Sequence, residues 1–197
     1  NPELGALARM FGSVEGYSEN IRGILERRIS QIARFDDRLF HLIENSLREL
    51  PHNSDLCLAN LTHIEDQAFE VIWERELGPD LRISQDDIST WTEKPGELPK
   101  PIRDMMDRDE WEIPVDRGPQ LAVLQLMTGS HHHFTQGSAR YASKDAYVLL
   151  NAIHCFRNRS QHAGGQSIPL GVAVSGLFLC VELLGILARP LNKNLEK

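Results

Sequence analysis

The chain has 197 residues, a formal net charge of −7, 41% hydrophobic residues and 25% charged residues. This is enough for one domain with a substantial core and too little for two large ones. The acidic balance argues against a general nucleic-acid coat, which normally has a basic excess, although a local groove can still be basic. Because the first residue is Asn1, we treat the chain as either a trimmed product or a fragment of a longer protein.

The first half of the chain predicts helices. A short helix is expected over residues 2–11. Apolar residues then recur at spacings of three and four over residues 18–50, which predicts one long amphipathic helix ended by Pro51. A second long helix is predicted after a cap at residues 53–55. It runs to Leu77, where Gly78 and Pro79 follow.

Residues 79–116 differ in character, because five prolines punctuate a polar, acidic stretch. We interpret this stretch as an insertion with one or two short helices, including one over 101–109. A helix at 118–127 and a loop at 128–138 are expected next. A further helix from about residue 142 runs to the segment 157–162 and is broken at Gly164 and Gly165.

The last predicted helix starts at the Ser167 cap, has Pro169 in its first turn and ends near Ala188, before Pro190. Residues 168–187 meet the length of a bilayer span, with Glu182 as their only charge. A carboxylate there would cost roughly 2.5–3.5 kcal/mol on insertion scales. We therefore predict a buried helix of a bundle or dimer, with a tail anchor as the alternative.

The three cysteines, Cys57, Cys155 and Cys180, are widely spaced and form no C-x-x-C pair. This pattern indicates neither a zinc ribbon nor a disulfide framework. The N-terminus lacks the basic-then-apolar layout of a secretory signal. We therefore expect a cytoplasmic protein with free thiols inside helical cores.

The segment 157–162 carries the chemistry. It reads Arg157-Asn158-Arg159-Ser160-Gln161-His162, which is an R-N-x-x-x-H pattern. Histidine can exchange a proton near neutral pH, and arginine is a permanent cation with a planar fork of donors suited to phosphate. The pattern thus predicts phosphodiester chemistry without a metal. The alternative interpretation is that Arg157 caps a helix and His162 is a solvated turn residue.

The R-N-x-x-x-H pattern resembles the R-x(4–6)-H signature of the HEPN superfamily of helical ribonucleases and nucleotide-binding domains. The resemblance covers mainly residues 142–189, together with the helices at 18–50 and 53–77. It does not explain the insertion 79–116. The chain departs from the family at Arg159, Ser160 and Gln161, where small apolar residues are frequent. The resemblance implies an all-α, HEPN-like bundle of four to five main helices in a single domain over residues 1–197.

The resemblance also implies a symmetric homodimer whose two motifs face each other and cut single-stranded RNA, in a toxin or antiviral defence system. His162 would be the general base or acid, and Arg157 the clamp on the phosphate. Asn158 would hold the motif's geometry or donate a hydrogen bond to the phosphate. Arg159 and Ser160 would touch the substrate or lie in an exposed turn. No metal or cofactor is implied. A regulatory domain, an antitoxin or a nucleotide could act as a partner, and membrane association is not expected. The alternative function is a non-catalytic HEPN module that dimerises or binds a nucleotide or partner protein.

Other polar groups receive plainer interpretations. The adjacent side chains of His131, His132 and His133 diverge, so a mobile surface loop is favoured over a metal site. The carboxylate pairs Glu65-Asp66 and Asp86-Asp87 are adjacent in sequence and point apart, so they do not indicate two-metal chemistry. His154 is interpreted as a helix-face residue that could line the same cleft as His162.

Overall fold

A computed structural model describes residues 14–50, 53–91, 97–109, 111–131, 137–161 and 170–195. Over these residues the chain forms eight α-helices and no strand, which confirms the all-α class. The HEPN-like arrangement stays a prediction. In chain order the helices are α1 (Val14–Ser30), α2 (Asp37–Glu49), α3 (Ser54–Leu77), α4 (Gln85–Trp91), α5 (Lys100–Asp107), α6 (Arg117–Met127), α7 (Lys144–Gln161) and α8 (Leu170–Leu195).

The single long helix predicted over residues 18–50 is wrong, because residues 31–36 separate α1 from α2. Asp36 has an extended backbone (φ −145°, ψ 111°), and its side chain accepts a hydrogen bond from the Leu39 amide at 2.8 Å. That bond caps α2 in the usual way. The Phe35 ring packs edge-on against Phe40 with centroids 6.0 Å apart. The apolar spacing continues through the break, so periodicity alone could not reveal it.

Helix α3 agrees with its prediction at both ends. The Asn53 side chain accepts a hydrogen bond from the Leu56 amide at 2.9 Å, which confirms the predicted cap. After Leu77 the chain enters a left-handed conformation at Gly78 (φ 72°), as the glycine stop required. One face of α3 is fully buried and carries most of its large apolar side chains: Leu58, Leu61, Ile64, Phe69 and Ile72.

The described residues belong to two compact units. The first lies within residues 1–68 and 152–197, and the second within residues 69–151. Helices α3 and α7 therefore each contribute residues to both.

In the first unit, α1, α2 and α8 pack against one another. Helix α8 lies close to α3 at Gly176, since a Cβ there would lie 2.8 Å from the Leu61 side chain, which would have to shift. Arg28 of α1 donates to both carboxylate oxygens of Glu182 at 3.0 and 3.2 Å. The one charge predicted in the apolar stretch of α8 therefore has a partner on a neighbouring helix.

In the second unit, α5 packs against α6. The predicted helix at 101–109 is α5, and α4 is a second short helix within the predicted insertion. Two backbone hydrogen bonds join the two ends of this insertion. The Ile83 amide donates to the Trp111 carbonyl at 2.8 Å, and the Ile113 amide donates to the Leu81 carbonyl at 3.4 Å. The segment before α7 is held by Glu76, whose carboxylate accepts from three successive amides of residues 140–142 at 2.8, 2.7 and 2.6 Å.

Helix α8 is longer than predicted, since it continues through Pro190 to Leu195. A proline removes one backbone donor from a helix, but the helix can continue beyond it. Residues Leu170–Arg189 are long and apolar enough to cross a membrane, with a mean hydropathy of 2.3, and 56% of that window is buried within the protein. Core helices of soluble proteins share this length and composition, so the feature is weak evidence of a span.

The expectation of free thiols in helical cores holds for two of the three cysteines. Cys57 and Cys180 are buried, whereas Cys155 is exposed on α7. Burial raises the pKa of the Cys57 thiol to about 12. The predicted helix at 2–11, the break at 164–165 and the cap at 167–169 lie outside the described residues.

Candidate functional site

The candidate site lies on the last turns of α7. Ala146, Leu150 and Ile153 are fully buried, so they define the inner face of this helix. His154, Arg157 and Asn158 follow at spacings of three and four, which places them on one side of the helix. The side chains of His154 and Arg157 are 19% and 20% exposed to solvent. This side of α7 therefore carries polar groups at the margin of the core.

A glutamate on α3 faces these residues. Glu65 is fully buried, whereas the adjacent Asp66 is exposed, so the two carboxylates do diverge as predicted. Glu65 occupies the same row as the buried residues Leu58, Leu61 and Ala68. An ionised carboxylate in such a row is costly unless it is paired and hydrogen-bonded.

Two side chains of α7 contact Glu65. The Oε1 atom of Glu65 lies 2.9 Å from Nδ1 of His154. Its Oε2 atom lies 3.4 Å from Nη1 of Arg157. On the far side of the imidazole, Nε2 of His154 lies 3.0 Å from Nδ2 of Asn158. We call Glu65, His154, Arg157 and Asn158 the Glu65 network.

The Glu65 network balances its charges locally. Arg157 is a permanent cation and stands against Oε2, which favours the carboxylate form of Glu65. The field of that carboxylate reaches Cys180 on α8. Burial is the main cause that raises the pKa of the Cys180 thiol, and the negative charge of Glu65 raises it further. The network thus lies where α3, α7 and α8 come together.

The structure describes the side chains of two of the five predicted site residues, Arg157 and Asn158. Arg157 is directed toward Glu65, and Asn158 is hydrogen-bonded to His154. Arg159 and Ser160 belong to α7 by their backbone, but their side chains are outside the described part of the chain. His162 follows the end of α7 and lies outside the described residues, so its roles as base or as turn residue both stay predictions.

Sequence reasoning missed Glu65 as a functional residue. A signal was present, because position 65 continues the row of residues 58, 61, 68 and 72, all of which are apolar. A charged residue in an apolar row indicates a buried partner of opposite charge. His154 was correctly interpreted as a helix-face residue, but its link to Asn158 could not be inferred from spacing alone.

The remaining polar groups in the described part of the chain suggest no second site. Within the described ranges, no three His, Cys, Asp or Glu side chains are grouped as metal ligands would be. His131 is partly buried, and His132 and His133 lie outside those ranges. Asp87 accepts hydrogen bonds from the amide and hydroxyl of Ser84 at 2.8 and 2.6 Å, which assigns it to the start of α4.

Comparison of this chain with protein-family models, with curated proteins and with solved structures finds no match.

Proposed function

We propose that this protein is a metal-independent endoribonuclease that cleaves single-stranded RNA. The substrate ribose would supply the nucleophile, as its 2′-oxygen attacks the adjacent phosphorus and the 5′-oxygen of the next nucleotide leaves. The products are a 2′,3′-cyclic phosphate and a 5′-hydroxyl. The proposed setting is a toxin or antiviral system, which rests on the family resemblance alone.

The observation that carries the proposal is the ordered arrangement of Arg157 and Asn158 next to His162 in the chain. Arg157 is held by a buried carboxylate at 3.4 Å, and Asn158 by an imidazole at 3.0 Å. Side chains held in this way do not have to be ordered when a substrate binds. Such preorganisation is the main source of electrostatic catalysis.

Each motif residue has one role in the proposed reaction. His162 takes the proton from the 2′-hydroxyl or gives a proton to the leaving 5′-oxygen. Arg157 stabilises the negative charge that develops on the phosphoryl oxygens. Because one histidine cannot be base and acid in the same step, a second copy of the motif in a homodimer would supply the other role. Arg159 and Ser160 would contact the RNA.

A second function is favoured by one observation. Only 20% of the Arg157 side chain is exposed, and its partner Glu65 is fully buried. An arginine whose role is to pack two helices together would look the same. In that case the domain is a non-catalytic HEPN-like module that dimerises or binds a nucleotide or a partner protein.

A cleavage assay separates the two functions. Wild type, Arg157→Ala and His162→Ala would be incubated with single-stranded RNA in EDTA, and the 3′ ends analysed for cyclic phosphate. We expect cleavage by wild type only. Arg103→Ala is the matched control, since Arg103 is an exposed arginine on α5 and should cut like wild type.

Two outcomes would refute the proposal. Equal cleavage by wild type and both motif variants would trace the activity to a contaminant or to another site. No cleavage by a wild-type dimer, together with RNA or nucleotide binding that the His162→Ala variant retains, would establish the binding module instead.

A further inference from the structure

The Glu65 network contains a histidine that the R-N-x-x-x-H pattern does not include. His154 lies between two partners of the same network, with Glu65 at 2.9 Å from one ring nitrogen and Asn158 at 3.0 Å from the other. Both contacts are within hydrogen-bond range. The imidazole therefore links a residue buried on α3 to a residue of the motif.

The two contacts together determine the tautomer of His154. A carboxylate can only accept, so the nitrogen that faces Glu65, Nδ1, must carry the proton. A neutral imidazole then has a lone pair on Nε2, which accepts a hydrogen bond from the Asn158 amide nitrogen. One proton placement thus satisfies both ring nitrogens of His154. It also determines which way the Asn158 amide points, with its oxygen directed away from His154.

The same carboxylate positions the arginine. The second oxygen of Glu65 lies 3.4 Å from Nη1 of Arg157, one residue before Asn158. Two successive motif side chains are thus oriented by a single buried group, one directly and one through an imidazole. A leucine at position 65 would continue the apolar row of α3 without the desolvation cost of a charge.

We propose that Glu65 is the positioning residue of the R-N-x-x-x-H segment. Glu65 holds His154 as the Nδ1–H tautomer, and this tautomer presents Nε2 as the acceptor that orients Asn158, while the second carboxylate oxygen orients Arg157. Neither Glu65 nor His154 touches the substrate. The effect of this positioning on catalysis rests on the proposed ribonuclease function, whereas the hydrogen-bond chain does not.

The first experiment measures the tautomer without using activity. Long-range ¹H–¹⁵N correlation spectra of the uniformly labelled full chain, at about pH 8, report which ring nitrogen of each neutral histidine carries the proton. The His154→Phe variant assigns the signals. We expect Nδ1–H in wild type and in the control Glu70→Leu, which replaces an exposed glutamate of α3. In Glu65→Leu we expect loss of that tautomer and a shift of the Asn158 side-chain amide signals.

The second experiment measures kinetics on the same RNA. We expect Glu65→Leu and His154→Phe to lower kcat about 10- to 100-fold, because a small misplacement of a catalytic group has an effect of that size. KM should stay within about twofold, since neither residue contacts RNA. If Glu65→Leu does not fold, Glu65→Gln keeps the volume, removes the charge that orients Arg157 and replaces one acceptor oxygen with an NH₂ donor.

Three outcomes would overturn the inference: an Nε2–H tautomer of His154 in wild type, an Nδ1–H tautomer that survives Glu65→Leu, or an unchanged kcat in a folded Glu65→Leu enzyme. A wild type that shows the Nδ1–H tautomer but does not cut RNA would refute the ribonuclease proposal. The positioning of Asn158 by Glu65 would then be supported by the spectra alone.

Discussion

Arg157→Ala should destabilise the protein more than Glu65→Gln, although both variants break the same ion pair. Arg157→Ala leaves a fully buried carboxylate that still contacts His154. Glu65→Gln leaves a guanidinium that still has 20% of its side chain exposed and can reach water. Removal of one partner of a buried ion pair typically costs about 3–5 kcal/mol.

The structure adjusts that range for each variant. His154 continues to donate to Glu65 at 2.9 Å, which lowers the expected cost of Arg157→Ala to about 2–3 kcal/mol. Because a glutamine side chain would keep the volume of Glu65 and Arg157 can be solvated, Glu65→Gln should cost about 1–2 kcal/mol. The double variant should cost less than the sum of these values, with a coupling free energy of about 1–2 kcal/mol.

Urea denaturation of the four proteins, followed by circular dichroism at 222 nm, measures this cycle. With an m-value of about 2 kcal/mol/M, Arg157→Ala should lower the unfolding midpoint by about 1–1.5 M. Hydrogen exchange of peptides from residues 54–68 and 152–161 should show the loss of protection there. A coupling free energy below about 0.3 kcal/mol would refute the reasoning, since independent residues add within that error.

The other predictions concern the thiols, the α1–α8 ion pair and the basic residue within the motif. An aromatic disulfide reagent should react quickly with one of the three cysteines of the native protein, Cys155, and with all three after unfolding, because the other two are buried; fast reaction of two or more in the native state would contradict this. The hydrogen bond from Arg28 lowers the pKa of Glu182, so the pair stabilises the protein above the unfolded pKa of 4.5 and the contribution is lost as pH falls through the lower folded value. Since both side chains are nearly half-exposed and screened by solvent, Glu182→Gln should cost only about 0.5 kcal/mol at pH 7. This cost should decrease as the pH is lowered below 4.5, as measured by urea denaturation at pH 7 and in acid. Arg159→Ala should raise KM for RNA more than it lowers kcat and should reduce the salt slope of binding by about 1; an unchanged slope would place Arg159 away from the phosphates.

Much of the helical order follows from apolar spacing, but its interruptions do not. The cap at Asn53 and the glycine stop after α3 were predicted from residue type and are present. The break between α1 and α2 was missed, because the apolar row runs across it without a change of period. Only Asp36, a good cap residue in the middle of the row, indicated that a new helix could start there.

For the candidate site too, the sequence shows neighbouring residues but not the residues that contact them in the fold. The place of Arg157 and Asn158 in one motif could be recognised from their neighbours in sequence, and the chemistry proposed for them stays a prediction. The contact with Glu65 could not, because it joins positions about 90 residues apart through the packing of α3 against α7. Tertiary partners of a polar side chain depend on how helices face one another, and no residue spacing within one helix contains that information.

The Glu65 network also determines where an RNA phosphate would find positive charge. The opposite charges of Arg157 and Glu65 face each other, so this pair would attract a distant phosphate only weakly. Arg157 would then act at short range through its guanidinium group as charge develops on the phosphoryl oxygens. Long-range attraction must come from another residue, and Arg159 is the nearest cation in the sequence. In the proposed ribonuclease, on a chain with a net charge of −7, this separation of capture from catalysis would give weak, salt-sensitive binding without loss of transition-state stabilisation.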